Sequence, residues 1–458
     1  MERVAIHFIG IGGTGLSAIA RVLLERGYNV SGSDRQMTPL AEALQADGVK
    51  VMIGHRAENI MGAELIVRSS AVVDDNPEVM AARKAGIPVW KRVDFIDQLM
   101  AGQHVIAVAG THGKTTTTAM IAWMLTALDQ DPSFIIGGVS MNLGTNAHAG
   151  KGKVFVVEAD EYDRMFLGLN PDLAIVTNLE FDHPDCFPTQ RDFYQAFLDF
   201  AGRLKPDSRL LVCADDAGAV ALKKEVNGRL QTYFYGLGSA PEGAFPEYRA
   251  ASVALNERGG YRFDFLRRND YLAWVDLLVP GLHNVRNALA ALAVADLQRL
   301  PIQEASDALG KFLGVGRRFE VRGERDGLVV IDDYAHHPSE IRATLEAARA
   351  RYPESTLWAV WQPHTYTRIQ ALWDEFAGAF TDANHVLITE VYGAREKAPQ
   401  GFSTQDLVKS IRHPDVHFAA ELSQAAEFLK ERTGPGDVIL VLSAGDADQI
   451  SRELLNLS

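Results

Sequence analysis

The sequence predicts an α/β protein built as three domains in series, and three observations point to it. Apolar, β-branched runs alternate with helix-like segments along nearly all of the 458 residues, the pattern of parallel sheets covered by helices. The chain is too long for a single core, since domains run to roughly 100–200 residues. Polar motifs recur at the C-terminal ends of the apolar runs, where open α/β sheets bind ligands.

The first domain is expected to span residues 1–98 and to be Rossmann-like. RVAIHFIG reads as a buried strand, Gly10, Gly12, Gly13 and Gly15 form a G-x-G-x-x-G turn, and Leu16, Ile19, Leu23 and Leu24 continue at helical spacing. YNVSGSD is a second strand ending at Asp34, 19 residues after Gly15. This βαβ unit places a diphosphate on a helix N-terminus. The usual inference is a nicotinamide or flavin dinucleotide and an oxidoreductase; the wider one is any diphosphate. LIVRSS, with Ser70 at its end, and PVWKR complete the domain.

Residues 99–313 are expected to form a central domain of the phosphate-loop ATPase type. VIAVA ends abruptly at Gly110, and Thr111, His112, Gly113, Lys114, Thr115 and Thr116 lead into a helix. Backbone N–H groups and the helix start would surround an anion. Lys114 would reach the β- and γ-phosphates of ATP, and the Thr115 hydroxyl would ligate Mg²⁺. The pattern is incomplete, because Val108 stands where the first glycine is expected. Glu158 and Asp160 end the strand VFVVEAD, as a Mg²⁺-binding acid would. His183 lies between Asp182 and Asp185 in LEFDHPD, in a position for a metal or phosphate. Zinc is not expected, since no Cys/His set has tetrahedral spacing. Short pieces between residues 206 and 280 suggest a partly antiparallel lobe, and Asn284 and Asn287 share one face at the start of an Ala-rich helix.

Residues 314–458 are expected to form a C-terminal Rossmann-like domain. Arg317 and Arg318 open it, and Asp332, Asp333, His336 and His337 crowd the end of the strand LVVIDD. So many titratable groups at one strand end point to function. Gln362, His364 and Arg368 repeat the pattern one unit later.

A net charge of −14 argues against a nucleic-acid partner. There is no run of 18 apolar residues, so no membrane span is expected. Cys186 and Cys213 alone make no disulfide framework, which with the absence of a leader points to the cytoplasm.

GTHGKTTT, EADEYD, TNLEFDH, HNVRN, GRRFE, DDYAHHP and QPHTYTR occur in order over the whole chain. Together they resemble the Mur ligases, most closely the members that add L-alanine. The resemblance implies an ATP- and Mg²⁺-dependent amide ligase of peptidoglycan precursor synthesis, monomeric or homodimeric. ATP would phosphorylate the lactyl carboxylate of UDP-N-acetylmuramate, and L-alanine would attack the acyl phosphate. By the same resemblance the catalytic residues are Lys114, Glu158, His183 and Arg318. Thr115, Glu158 and His183 hold metal, Asn284 and Asn287 meet adenine, and Asp333 meets the ribose. Tyr334, His336, His364 and Arg368 surround the amino acid. Gly10, Gly12, Gly13, Gly15, Asp34 and Ser70 take the UDP moiety. Two departures stand out. Tyr162 replaces a Ser in EADEYD, as in the murein peptide ligases that attach a recycled tripeptide, and Thr365 replaces an Arg, leaving the amino-acid pocket one positive charge short.

Overall fold

Five parallel strands build the first sheet, in the order Lys50–Ile53, Asn29–Asp34, Ala5–Ile9, Leu65–Arg68 and Val89–Lys91. The structure is a computed structural model that describes residues 4–226, 228–238 and 245–457. Strand order reverses at Ala5–Ile9, so the glycine loop lies at the switch point of the sheet, where such folds bind ligands. The helix Thr14–Glu25 covers the sheet through Leu16, Ile19, Ala20, Val22 and Leu23, all buried.

A buried acid ties this domain together. Glu78, fully enclosed, meets His7 Nε2 at 3.3 Å and accepts from Ser33 Oγ at 2.6 Å and Asn59 Nδ2 at 2.5 Å. Burial alone would raise its carboxyl, but these hydrogen bonds outweigh it and bring the pKa down to about 2. A carboxyl lowered on folding contributes stability above its unfolded pKa and loses it as pH falls toward the folded value. The expected result is that wild-type stability drops by about 3 kcal/mol between pH 4.5 and pH 2 through this group. Glu78→Gln should flatten that part of a urea-denaturation series, and an unchanged slope would remove Glu78 from the account.

The central sheet has ten strands among the described residues. Its order is Asp270–Asp276, Tyr261–Arg267, Tyr248–Leu255, Gln231–Gly236, Arg209–Cys213, Leu173–Val176, His104–Ala109, Val154–Glu158, Ser133–Ile135 and Ala147–His148. The lobe between residues 206 and 280 is partly antiparallel, as the sequence suggested. Arg209–Cys213 and Gln231–Gly236 pair in parallel because the helix Ala217–Val226 crosses between them, whereas the three strands from Tyr248 onward are joined as hairpins. Helices Lys114–Ala127 and Leu282–Leu297 pack together over one face. Both are apolar on nearly every side, as helices buried between layers must be.

The third sheet runs Glu320–Arg325, Leu328–Asp333, Val438–Leu442, Leu357–Trp361, His385–Ile388 and Val416–Phe418. Its two edge strands were not foreseen. Glu320–Arg325 is polar and antiparallel to its neighbour, and Val416–Phe418 is only three residues long. Both cysteines are free. Among the described residues, no helix is long and apolar enough to cross a membrane.

Candidate active site

The phosphate loop leaves the strand His104–Ala109 between two neighbours whose ends also carry polar motifs. Asn178 braces it, accepting from His112 N–H at 2.8 Å, while Thr177 Oγ1 donates to His112 O at 2.6 Å. Gly113 starts the helix at φ 80°, and a Cβ there would meet Asn287 Oδ1 at 2.8 Å. Only glycine fits both conditions. Thr117 Oγ1 donates to the same Asn287 oxygen at 3.1 Å, and Asn287 Nδ2 donates to Asn284 Oδ1 at 3.0 Å. The two asparagines thus line the cavity beside the loop and also lock its helix in place.

Lys114 Nζ donates to Gly110 O at 2.6 Å, to Thr111 O at 2.9 Å and to Glu161 Oε1 at 2.9 Å. Burial works against its charge, but Glu161, Glu158 and Asp160 override it and raise the pKa. Thr115 Oγ1 donates to Glu158 Oε1 at 3.0 Å, and Gly137 N–H to Glu158 Oε2 at 2.6 Å. A hydroxyl and a carboxylate converging at that distance are a hard-oxygen donor pair of the kind Mg²⁺ takes. Burial raises the Glu158 carboxyl and Lys114 opposes that, so a cation beside it would favour the charged form further. Glu158→Gln is therefore expected to raise the Mg²⁺ concentration needed for half-maximal rate as well as to slow the reaction. An unmoved Mg²⁺ titration would show that Glu158 is not a ligand.

His183 occupies the left-handed region, at φ 56°, a conformation retained where a site requires it. Its Nε2 lies 3.6 Å from Glu161 Oε1 and 3.7 Å from Asp182 Oδ2. Glu161, Asp182 and Glu158 all line the same cleft. The carboxylates beside His183 are thus Glu161 and Asp182, while Glu158, its expected partner, lines the same cleft. Glu161 is 1% exposed, and its Oε2 has no hydrogen-bond partner among the described residues.

A cavity of about 310 Å³ opens beyond the loop, lined by Gly113, Thr115, Thr116, Asn284, Asn287, Arg318 and Asp333. It gathers residues from four separate motifs of the expected nucleotide site. Asp333 accepts Phe319 N–H and Ala335 N–H, both at 2.7 Å, so its carboxylate also shapes the turn around it. Burial raises its pKa to about 6, against the pull of Arg318. Arg318 lines this cavity and also the adjoining cleft of about 530 Å³, where Thr14, Gly15, Lys114, Glu158, His183, Tyr334 and His336 meet.

On the first domain's side, Gly12 N–H donates to Asp34 Oδ2 at 2.8 Å, so Asp34 holds the loop itself. Ser70 is exposed, and it is Ser69 that packs against Gly10. A Cβ on Gly15 would collide with Arg92, which reaches Asp160 at 3.0 Å and bridges the first two domains. On the third domain's side, Tyr334, His336 and His364 form a chain of edge-on rings 5.3 and 5.8 Å apart. Burial lowers His336 to about 3 despite Glu340 beside it, and lowers His364 to about 4. Both are neutral imidazoles at pH 7. His336 Nδ1 donates to Tyr334 O at 2.9 Å, which leaves Nε2 bare as an acceptor. Arg368 continues the chain, with Nη1 donating to His364 Nδ1 at 3.1 Å. It is 4% exposed, and its Nε donates to Asp182 Oδ1 at 2.7 Å across the domain boundary.

Four residues escaped the sequence reading: Arg92, Glu161, Glu180 and Glu340. Glu180 accepts from Ser339 Oγ at 2.5 Å and pairs with His112 Nε2 at 3.1 Å, and its pKa falls to about 2, its hydrogen bonds outweighing burial. Glu340 pairs with His112 Nδ1 at 3.1 Å and His336 Nδ1 at 3.3 Å and faces Arg318 at 3.5 Å. Burial opposes the charge on His112, yet these two acids raise it to about 9. One signal existed: His337-Pro338-Ser339-Glu340 is a helix-capping box, which marks Glu340 as turned back toward the strand end.

Fold and site together define a three-domain α/β nucleotide-binding enzyme whose phosphate loop opens onto a cleft shared by all three domains. The chain belongs to the Mur ligase family. Residues 5–104 match its catalytic domain, 108–295 its middle domain and 317–445 the domain described as the glutamate ligase domain. A protein of Salinibacter ruber named UDP-N-acetylmuramate–L-alanine ligase is 41% identical, over 99% of this chain and 94% of the relative. One of the same name from a Roseiflexus species is 43% identical, over 98% of each. The crystal structure of the UDP-N-acetylmuramate–alanine ligase of Thermotoga maritima superposes with a TM-score of 0.83 at 29% identity, covering 99% of both chains. A murein peptide ligase of Psychrobacter arcticus gives 0.73 at 26%, over 99% of this chain and 98% of the other. Membership of this family sets aside the oxidoreductase read from the glycine loop.

Proposed function

We infer that the protein joins L-alanine to the lactyl carboxylate of UDP-N-acetylmuramate at the expense of ATP, in peptidoglycan precursor synthesis. The observation that carries this is the single cleft in which the glycine loop, the phosphate loop with its acids, and Arg318, Tyr334 and His336 meet. A ligase with three substrates needs such a meeting point, because most of its work is positioning. In this reading, residues 1–98 hold the UDP substrate, 99–313 the ATP and 314–458 the amino acid.

A free carboxylate is a poor electrophile, so it is first activated. A lactyl carboxylate oxygen attacks the γ-phosphorus of ATP, forming a P–O bond while the bond to the β-phosphate oxygen breaks and ADP leaves. Lys114 and Arg318 flank the path of the phosphoryl group and offset its charge. The glycine loop and the start of Thr14–Glu25 take the UDP diphosphate. Thr115, Glu158 and His183 hold Mg²⁺, which neutralises phosphate charge when bound. Tyr334, His336, His364 and Arg368 orient the amino acid, with the bare Nε2 of His336 able to accept a hydrogen bond from its nitrogen. After losing a proton, that nitrogen attacks the acyl carbon. The C–N bond forms, the nitrogen gives up a second proton to solvent, the C–O bond to the phosphoryl group breaks, and phosphate leaves with the electron pair.

The test is phosphate release with UDP-N-acetylmuramate, ATP and Mg²⁺, comparing L-alanine, other amino acids and the cell-wall tripeptide. L-alanine should give the highest kcat/KM. Preference for the tripeptide would replace this reading with that of a murein peptide ligase, to which Tyr162 is the pointer in the chain.

A further inference from the structure

We propose that His112, Glu180 and His337 form a binding site for a zinc-class divalent ion at the seam between the central and C-terminal domains. Their candidate ligand atoms lie within 4.8 Å of one another. Sequence spacing hid the set, because one residue belongs to the phosphate loop, one follows the strand Leu173–Val176 and one caps the helix Pro338–Arg351.

Two imidazoles and a carboxylate, with a fourth position left for water, are a ligand set that zinc uses, once the ion displaces the proton that Glu340 and Glu180 hold on His112. Imidazole favours Zn²⁺ and its neighbours over Mg²⁺, which prefers oxygen. The outer partners of such a site are also in place. His112 Nε2 faces Glu180 Oε2 at 3.1 Å, while its Nδ1 is held by Glu340 at 3.1 Å. Ser339 Oγ donates to the other Glu180 oxygen at 2.5 Å. A ligating histidine oriented by a carboxylate, and a ligating carboxylate oriented by a hydroxyl, are what fix first ligands in metal centres. His337 supplies the independent observation. It is 1% exposed, its ring lies 4.7 Å from that of His112, and its Nδ1 is 4.0 Å from Glu180 Oε2. Its Nδ1 accepts the Ser339 N–H at 3.3 Å, which puts the ring proton on Nε2, and that nitrogen has no hydrogen-bond partner among the described residues; an ion at Nε2 displaces this proton and takes up a group whose unpaired burial costs stability.

An ion there joins the phosphate loop to the C-terminal domain. His112 and Glu180 also line the nucleotide cavity, so the ion and ATP exclude one another and the ion inhibits. The experiment is calorimetric titration of the full chain with Zn²⁺ alone as ligand, without nucleotide and in excess Mg²⁺ to occupy the oxygen site at Thr115 and Glu158. One Zn²⁺ per chain is expected, with affinity weakened at least about tenfold in His337→Ala and in Glu180→Gln. Glu180 has a side chain 41% exposed, so Glu180→Gln leaves no core cavity and decides the matter if His337→Ala fails to fold. ATP should displace the ion. Absence of saturable Zn²⁺ binding, or the same isotherm in wild type and a folded variant, overturns the site. The Zn²⁺ isotherms do not depend on the ligase reading; a failure of alanine ligation would leave them standing.

Discussion

Lys114→Ala is expected to lower turnover by about 10²–10³-fold or more, the loss seen when a preorganised charge stabiliser is removed. Lys114 is the lysine of the phosphate loop, and its Nζ is anchored by two loop carbonyls and Glu161. A lysine on an open loop would contribute little to folding, but this one neutralises a nearly buried acid. Removing it leaves Glu161 with His183 as its remaining charged neighbour, and breaking a buried pair from one side costs about 3–5 kcal/mol. The variant should therefore melt lower as well as turn over slowly. Adding Glu161→Gln should restore the melting temperature without restoring the rate. Recovery of both would mean that Lys114 serves only stability.

Arg368→Lys is expected to raise the KM for L-alanine clearly while those for ATP and UDP-N-acetylmuramate move much less. Charge is conserved but the planar fork is lost. The guanidinium spans two partners at once, Asp182 across the domain boundary and His364 beside it. Burial alone would raise the Asp182 carboxyl, yet the Arg368 charge holds it well below the usual carboxylate range. A lysine ammonium cannot hold both partners in that geometry, so His364 and the ring chain behind it should loosen. Arg368→Ala goes further. Asp182 is 3% exposed, and stranding its charge should cost about 3–5 kcal/mol, visible in denaturant melts. L-alanine kinetics in the Lys variant equal to wild type would take Arg368 out of the amino-acid site.

Fold class and phosphate loop were legible because both depend on local order: apolar runs of strand length, glycine at a turn that needs it, and Lys-Thr at a helix start. The limits of that reading are physical too. In EADEYD, strand alternation stops after Glu158, so nothing local says which later acid turns inward. Glu161 does, and it is the one that reaches Lys114. Glu340 was visible as a capping residue, but its link to His112 exists only once two sheets face each other. Arg368 and Asp182 stand 186 positions apart; their pairing turns an apparently open cation into a bolt between domains. Asp34, which the resemblance places at the UDP moiety, also holds the loop through Gly12 N–H, a contact that sequence distance does not reveal.

The most direct test of the central claim follows one oxygen atom. UDP-N-acetylmuramate labelled with ¹⁸O in the lactyl carboxylate is turned over with ATP, Mg²⁺ and L-alanine, and the released phosphate is analysed by mass spectrometry. Activation through an acyl phosphate predicts that one carboxylate oxygen leaves with each phosphate, which then carries one ¹⁸O. Unlabelled phosphate, with both labelled oxygens still absent from it at full turnover, would contradict the mechanism and with it the roles given to Lys114 and Arg318.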